Sequence, residues 1–210
     1  MRVYDGELLS VTSVVSLRDP FDSRSFEFWC AKEGYDPELV LDTSKILGTK
    51  VSDLIEAKTK GLEALLEPPF DKVEKALYTA VSSFTDDWKV VDCEKVVKNE
   101  KLHYAGRFDG IIERNGERFL ADWKTWGASR DKPYKRDSKK IKHVRWQLNL
   151  YAEAMGWKDG LCVVVFKSDG TWEREVVKRD KDMVKWVEDN QELILKTIED
   201  EKHKESDKKD

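Results

Sequence analysis

Asp109, Asp122 and Lys124 combine residue types and spacing that could do chemistry. They flank Asn115-Gly116, the strongest short hairpin signal in the chain, which joins the β-rich runs Tyr104–Arg114 and Glu117–Thr125. With a two-residue loop, paired positions sum to 231, so Ile112 faces Phe119 and Asp109 faces Asp122. Counting outward makes the acid pair a non-hydrogen-bonded one, with Cα atoms about 4.5 Å apart. Like charges opposed so closely destabilise a sheet. A divalent cation would remove the conflict, because hard cations take carboxylate oxygens. Lys124 lies two residues past Asp122 and points to the same face. Two carboxylates beside an ammonium suit hydrolysis of a phosphodiester. A held cation lowers the pKa of a bound water, and the lysine orients that water or stabilises charge developing on the phosphate. The set suits acyl transfer poorly, since no Ser–His pair stands out among three histidines.

An acid-x-Lys triplet alone says little, because six occur in a chain that is 38% charged. What distinguishes Asp122/Lys124 is the apolar run Phe119-Leu120-Ala121 before it, where an ionised pair is costly unless used. A plain salt bridge between Lys124 and either aspartate is the alternative reading.

The elements that must position these residues follow from pattern. Phe26, Trp29 and Cys30 fall at helical spacing before Gly34 and Pro37 break the run. Thr49 is a candidate N-cap for a helix over 50–66, stopped by Pro68-Pro69, and a second helix is expected over 70–84. Residues 90–98 read as a strand. Ile141, Val144, Leu148, Tyr151 and Met155 define a helix over 141–155, ended by Gly156. A second hairpin spans 161–177, and a last helix starts near Asp180. This order predicts an α/β domain with a mixed central sheet flanked by helices.

The length of 210 residues and a 40% hydrophobic content support a real core, expected as one domain over 1–197 with a charged tail, 198–210, that frays. Net charge is -4, which excludes a wholly basic coat protein but not a basic patch. No apolar run is long enough to span a membrane, and the N-terminal residues lack a basic-then-apolar signal layout, so an intracellular, cytoplasmic location is expected. Cys30, Cys93 and Cys162 form no CxxC, which leaves a zinc site or an iron–sulfur cluster unsupported.

Three motifs, Gly106-Arg107-Phe108-Asp109, Asp122-Trp123-Lys124-Thr125 and Gln147-Leu148-Asn149-Leu150-Tyr151, together resemble the PD-(D/E)XK nuclease superfamily, and within it the RecB-like branch that includes phage exonucleases and CRISPR adaptation nucleases. Val11-Thr12-Ser13-Val14 and Gly48-Thr49-Lys50-Val51 resemble that branch too, so the likeness spans about residues 10–155. It implies a restriction-endonuclease-like core of order α-β-β-β-α-β. It makes Asp109, Asp122 and the backbone carbonyl of Trp123 ligands of Mg²⁺, with Mn²⁺ as a substitute, and Lys124 the catalytic lysine. Gln147 and Tyr151 become the paired helix positions facing the site. As i,i+4 neighbours they share a helix face with His143, and core packing is the alternative for Tyr151. The branch usually carries His four residues after the Gly of Gly-Thr, where this chain has Ser52, a weaker metal ligand. Asp53, Glu56 and Glu94 are further acidic candidates near the site, each with a solvated surface position as its alternative.

Residues 127–146 carry Arg130, Lys132, Lys135, Arg136, Lys139, Lys140, Lys142 and Arg145 against Asp131 and Asp137, a local net of +6. Starting three residues after Lys124 and ending beside Gln147, this stretch could neutralise phosphates and steer DNA; a solvated loop is the alternative. Trp126 and Trp146 bracket it, as stacking or core residues. The expectation is a Mg²⁺-dependent deoxyribonuclease, exonucleolytic or preferring single strands and ends, acting in recombination, replication or repair. The rival is a catalytically weak nucleic-acid-binding protein on the same fold.

Overall fold

The computed structural model describes residues 1–63, 69, 71–126 and 139–206. Its first half runs β1 (Val3–Tyr4), β2 (Leu8–Ser10), α1 (Val11–Arg18), α2 (Ser23–Glu33), α3 (Pro37–Lys60) and α4 (Lys72–Asp87). The strands β3 (Lys89–Asn99), β4 (Tyr104–Arg114) and β5 (Glu117–Trp126) follow, then α5 (Lys139–Met155), β6 (Gly160–Lys167), β7 (Trp172–Val177), α6 (Asp182–Asp189) and α7 (Gln191–Ser206). The mixed sheet takes the order β1-β2-β4-β5-β6-β7, with β3 also paired to β4. Helices cover both faces. One core packs α1, α5, α6 and α7 on the sheet through residues such as Val14, Leu148, Met183 and Ile194. The other packs α3 and α4 through Val51, Ile55, Leu77 and Phe84.

The hairpin forms in the expected register. Asn115 and Gly116 both take positive φ (53° and 83°), as a type I′ turn demands, and Ile112 faces Phe119. The ladder is continuous from Arg114/Glu117 to Gly110/Ala121, one step short of Asp109/Asp122. There the alternation of β4 changes phase: Tyr104 and Phe108 enter the α5-side core, and so does Ile111 rather than its even-numbered neighbours. The strand is therefore irregular around Asp109, and the opposed acids do not close a regular ladder pair, as electrostatics disfavours.

The first long helix begins earlier than its Gly48-Thr49 signal suggested. Asp36 caps α3 by accepting from the Glu38 and Leu39 amides, and Pro37 occupies the first turn, where a missing N–H costs nothing. Gly48-Thr49 is interior to this helix, and Gly61 ends it in the left-handed region. β1 and β2 were not anticipated; they are too short to show a period. α7 extends to Ser206, with Ile198 only 3% exposed and the Met1 ammonium 2.5 Å from Glu201, so the helix continues past 198, where the charge pattern suggested fraying. Among the described residues no helix is long and apolar enough to cross a membrane, and all three cysteines are free.

Candidate active site

The site forms where the sheet opens. β3 runs along one edge of β4 from Tyr104 to Glu113. The other edge is shared: β2 pairs in parallel with Tyr104-Ala105, and β5 pairs with Gly110–Arg114. No ladder pair forms on that edge at Gly106–Asp109, so β2 and β5 diverge around the first motif. Gly106 allows α1 and α5 to close over this notch. A Cβ there would lie 2.6 Å from Tyr151 Cε1, closer than real side chains come, and a tight 3.1 Å from Val11. Gly110 does the same for Trp123, whose Cζ2 would be 2.4 Å from an added Cβ.

Asp109 Oδ2 accepts the Trp123 amide at 2.7 Å. Lys124 Nζ forms an ion pair with Asp122 Oδ2 and donates to the Trp123 carbonyl at 3.1 Å. Asp122 is buried, and its Oδ2 accepts no hydrogen bond of good geometry despite that ionic contact. Burial, followed by the charge of Asp122, pushes the Asp109 carboxyl up to about 7; Lys124 and the Trp123 N–H oppose the shift. Burial works to depress Lys124, but Asp122 and Asp109 outweigh it and hold the ammonium above its ordinary value. Burial, then the two aspartates, raise the Tyr151 phenol, which stays protonated.

Two adjoining clefts meet at these residues. The larger, 710 Å³, is lined by the β2–α1 junction, by Ser52, Asp53 and Glu56 of α3, and by Glu94. The smaller, 370 Å³, holds Asp122, His143 and Gln147. Thr12, Arg107, Asp109, Lys124 and Tyr151 line both. The structure thus brings Asp109, Asp122, Trp123, Lys124, Gln147 and Tyr151 together, and places Ser52 and Glu94 beside them. Glu94 is held by Arg107 (Nε to Oε2, 2.7 Å) and takes a left-handed φ of 56°. Burial first, then Glu56 and Asp53, raise its carboxyl against the pull of Arg107.

Other candidates go elsewhere. Arg145 forms an ion pair with Glu175 of β7 rather than facing the clefts. Trp146 is buried, with Arg18 and Lys142 over its ring, and Trp126 packs partly buried on the α5-side core. Arg130, Lys132, Lys135 and Arg136 lie outside the described residues, as do the side chains of Lys139 and Lys140. Sequence reading singled out neither Arg107, an exposed cation two residues before Asp109, nor Thr12 individually, and both line the two clefts.

Among the described residues no group of three or more His, Cys, Asp or Glu side chains could hold a metal ion. A smaller set of oxygens stands at the site: the Asp109 and Asp122 carboxylates and the Trp123 carbonyl, to which Lys124 donates. Such a sparse oxygen set fits a hydrated Mg²⁺, which keeps several waters, better than a metal that requires a full protein cage.

No model of a protein family matches the chain, and no curated protein matches it. Among solved structures it is similar to an alkaline exonuclease (LHK-Exo) from Laribacter hongkongensis, at 12% identity and a TM-score of 0.49 over 96% of this chain and 92% of that one. The same exonuclease in complex with dAMP gives 13% identity and 0.48 over 97% and 93%. The crystal structure of SSO0001 gives 16% and 0.43 over 91% and 78%. Likeness at this level is loose and assigns no role to any residue.

Proposed function

We propose that this chain is a metal-dependent nuclease that hydrolyses phosphodiester bonds of DNA, with single strands or free ends as its preferred substrate. The observation that carries the reading is the convergence of Asp109, Asp122 and Lys124 in one cleft, with the buried Asp122 carboxylate in ionic contact with the Lys124 ammonium. Asp109, Asp122 and the Trp123 carbonyl would hold Mg²⁺ or Mn²⁺, which when bound supplies Lewis acidity and a water activated for attack. The chain's own residues do the rest. The Trp123 amide orients Asp109. Lys124, held as an ammonium by the two aspartates, stabilises negative charge on the phosphate instead of taking a proton. The protonated Tyr151 phenol and the Gln147 amide, which line the smaller cleft, would donate to phosphate oxygens. Exonucleolytic action in recombination, replication or repair follows from the sequence resemblance.

The test is a cleavage assay on end-labelled single- and double-stranded DNA with Mg²⁺, Mn²⁺ or EDTA. Wild type is expected to cut only with metal, and Lys124→Ala to lower the rate by about 10²–10³-fold. DNA binding without cleavage of any substrate would overturn the reading in favour of a binding protein, the rival that Ser52 suggests.

A further inference from the structure

Carboxylates line both clefts around the candidate site, matched in number by the cations Arg2, Lys45, Arg107 and Lys124 in the larger and by Arg107 and Lys124 in the smaller. Asp53, Glu56, Glu94 and Asp109 line the larger one, and Asp109 and Asp122 the smaller. A strand of nucleic acid entering them meets repulsion unless a cation receives its phosphates. Most nearby cations already have a task. Lys124 serves Asp122 and the Trp123 carbonyl. Lys45 pairs with Asp42 at 3.0 Å, and the Arg2 guanidinium lies 4.6 Å from the centre of the Tyr4 ring.

Arg107 is different in position. It lies on the stretch of β4 where β2 and β5 diverge, and it lines both clefts. Its side chain is 58% exposed, while that of Glu94, its partner through Nε, is 19% exposed. The guanidinium end of the pair is open to solvent, where an ion pair contributes little to stability, so an incoming anion can compete for it. The fork of an arginine also matches phosphate oxygens bidentately. Glu94, crowded by Asp53 and Glu56, is a weak competitor for it against a phosphate.

We propose that Arg107 is a phosphate-binding residue of this site. Its guanidinium leaves Glu94 for the non-bridging oxygens of a backbone phosphate lying where the two clefts meet. Glu94 is then a positioning residue that holds Arg107 over the notch until a strand arrives. The inference rests on the nuclease reading for its ligand, a phosphodiester strand, but not on cleavage.

Binding and cutting are therefore measured separately. Anisotropy of a labelled thymidine oligonucleotide in EDTA, across a salt series, is compared for wild type, Arg107→Ala, Arg107→Lys and Glu94→Gln. Arg107→Ala is expected to weaken binding about tenfold and to reduce the salt slope by about 0.7, the value of one single-strand phosphate contact. Arg107→Lys restores the slope but only part of the affinity, which a folding defect would not do. Glu94→Gln tightens binding by releasing the guanidinium. Wild-type affinity and slope in Arg107→Ala, or no oligonucleotide binding by wild type at low salt, overturns the inference. So does a Glu94→Gln protein that binds unchanged in EDTA yet no longer cuts with Mg²⁺, because Glu94 then serves the metal. Arg107-dependent binding with no cleavage by wild type sinks the nuclease reading and leaves this one standing.

Discussion

Asp109 is where the charge conflicts of the site meet. By register it falls between Glu94 on β3 and Asp122 on β5, and neither neighbour closes a ladder pair with it. Its carboxyl, ordinarily ionised above about pH 4, is pushed up to about 7 by burial and by Asp122. Between those values the folded chain holds a proton that the unfolded chain has lost, so stability falls as pH rises across that window. Thermal unfolding in EDTA is expected to show this decline, and Asp109→Asn to flatten it. Millimolar Mg²⁺ should restore stability at pH 8 for wild type but not for the variant. A wild-type pH profile that matches Asp109→Asn would remove Asp109 as the source. The acid pair and the lysine were legible because Asn115-Gly116 fixes the register by local chemistry alone. The Glu94–Arg107 contact was not, since β3 and β4 are joined through a short 3-10 turn whose sequence does not fix their register as Asn-Gly does. The Arg145–Glu175 pair likewise depends on where β7 falls beside α5.

At the scale of elements, the site depends on how closely α1 and α5 approach β4. Gly106 sets that distance, and the nearest atoms to an added Cβ belong to the buried Tyr151 ring and to Val11. Gly106→Ala is expected to destabilise the fold by about 1–3 kcal/mol, the usual cost of overpacking. Because Tyr151 lines both clefts, cleavage should fall further than the lost folded fraction explains. Denaturant titration alongside the rate assay separates the two effects, and an unchanged denaturation midpoint would show that the contact relaxes freely. Elements with a strong local signature were readable: β4 and α5 match their periodic runs to within two residues. The start of α3 was misread because Pro37 looked like a breaker, although Asp36-Pro37 is a cap followed by a first-turn proline. β1 and β2 exist through pairing with each other and with β4, which no local pattern encodes.

The whole molecule has two cores on opposite faces of one sheet, and the site occupies the edge notch between their helices. Phe84 anchors one core, with ring centroids 5.7 Å from Trp123, 5.4 Å from Phe166 and 5.3 Å from Trp172. Leu148 sits fully buried in the other. Because β4, β5 and β6 supply side chains to both faces, loss of either core is expected to disturb the sheet that carries the other. One cooperative unit is therefore expected for the described residues. Phe84→Ala should cost about 3–5 kcal/mol and Leu148→Ala about 2–5 kcal/mol, both read from a single transition. Tryptophans report on each side independently: Trp88 and Trp123 lie in the α4-side core, while Trp146 is buried in the other. Coincident fluorescence and far-ultraviolet circular dichroism curves, shifted together by either substitution, are the expected outcome. If Phe84→Ala moved only part of the signal, the two faces would be separate units. The notch could then widen without global unfolding, and substrate entry would be a property of one layer instead of the joint between two.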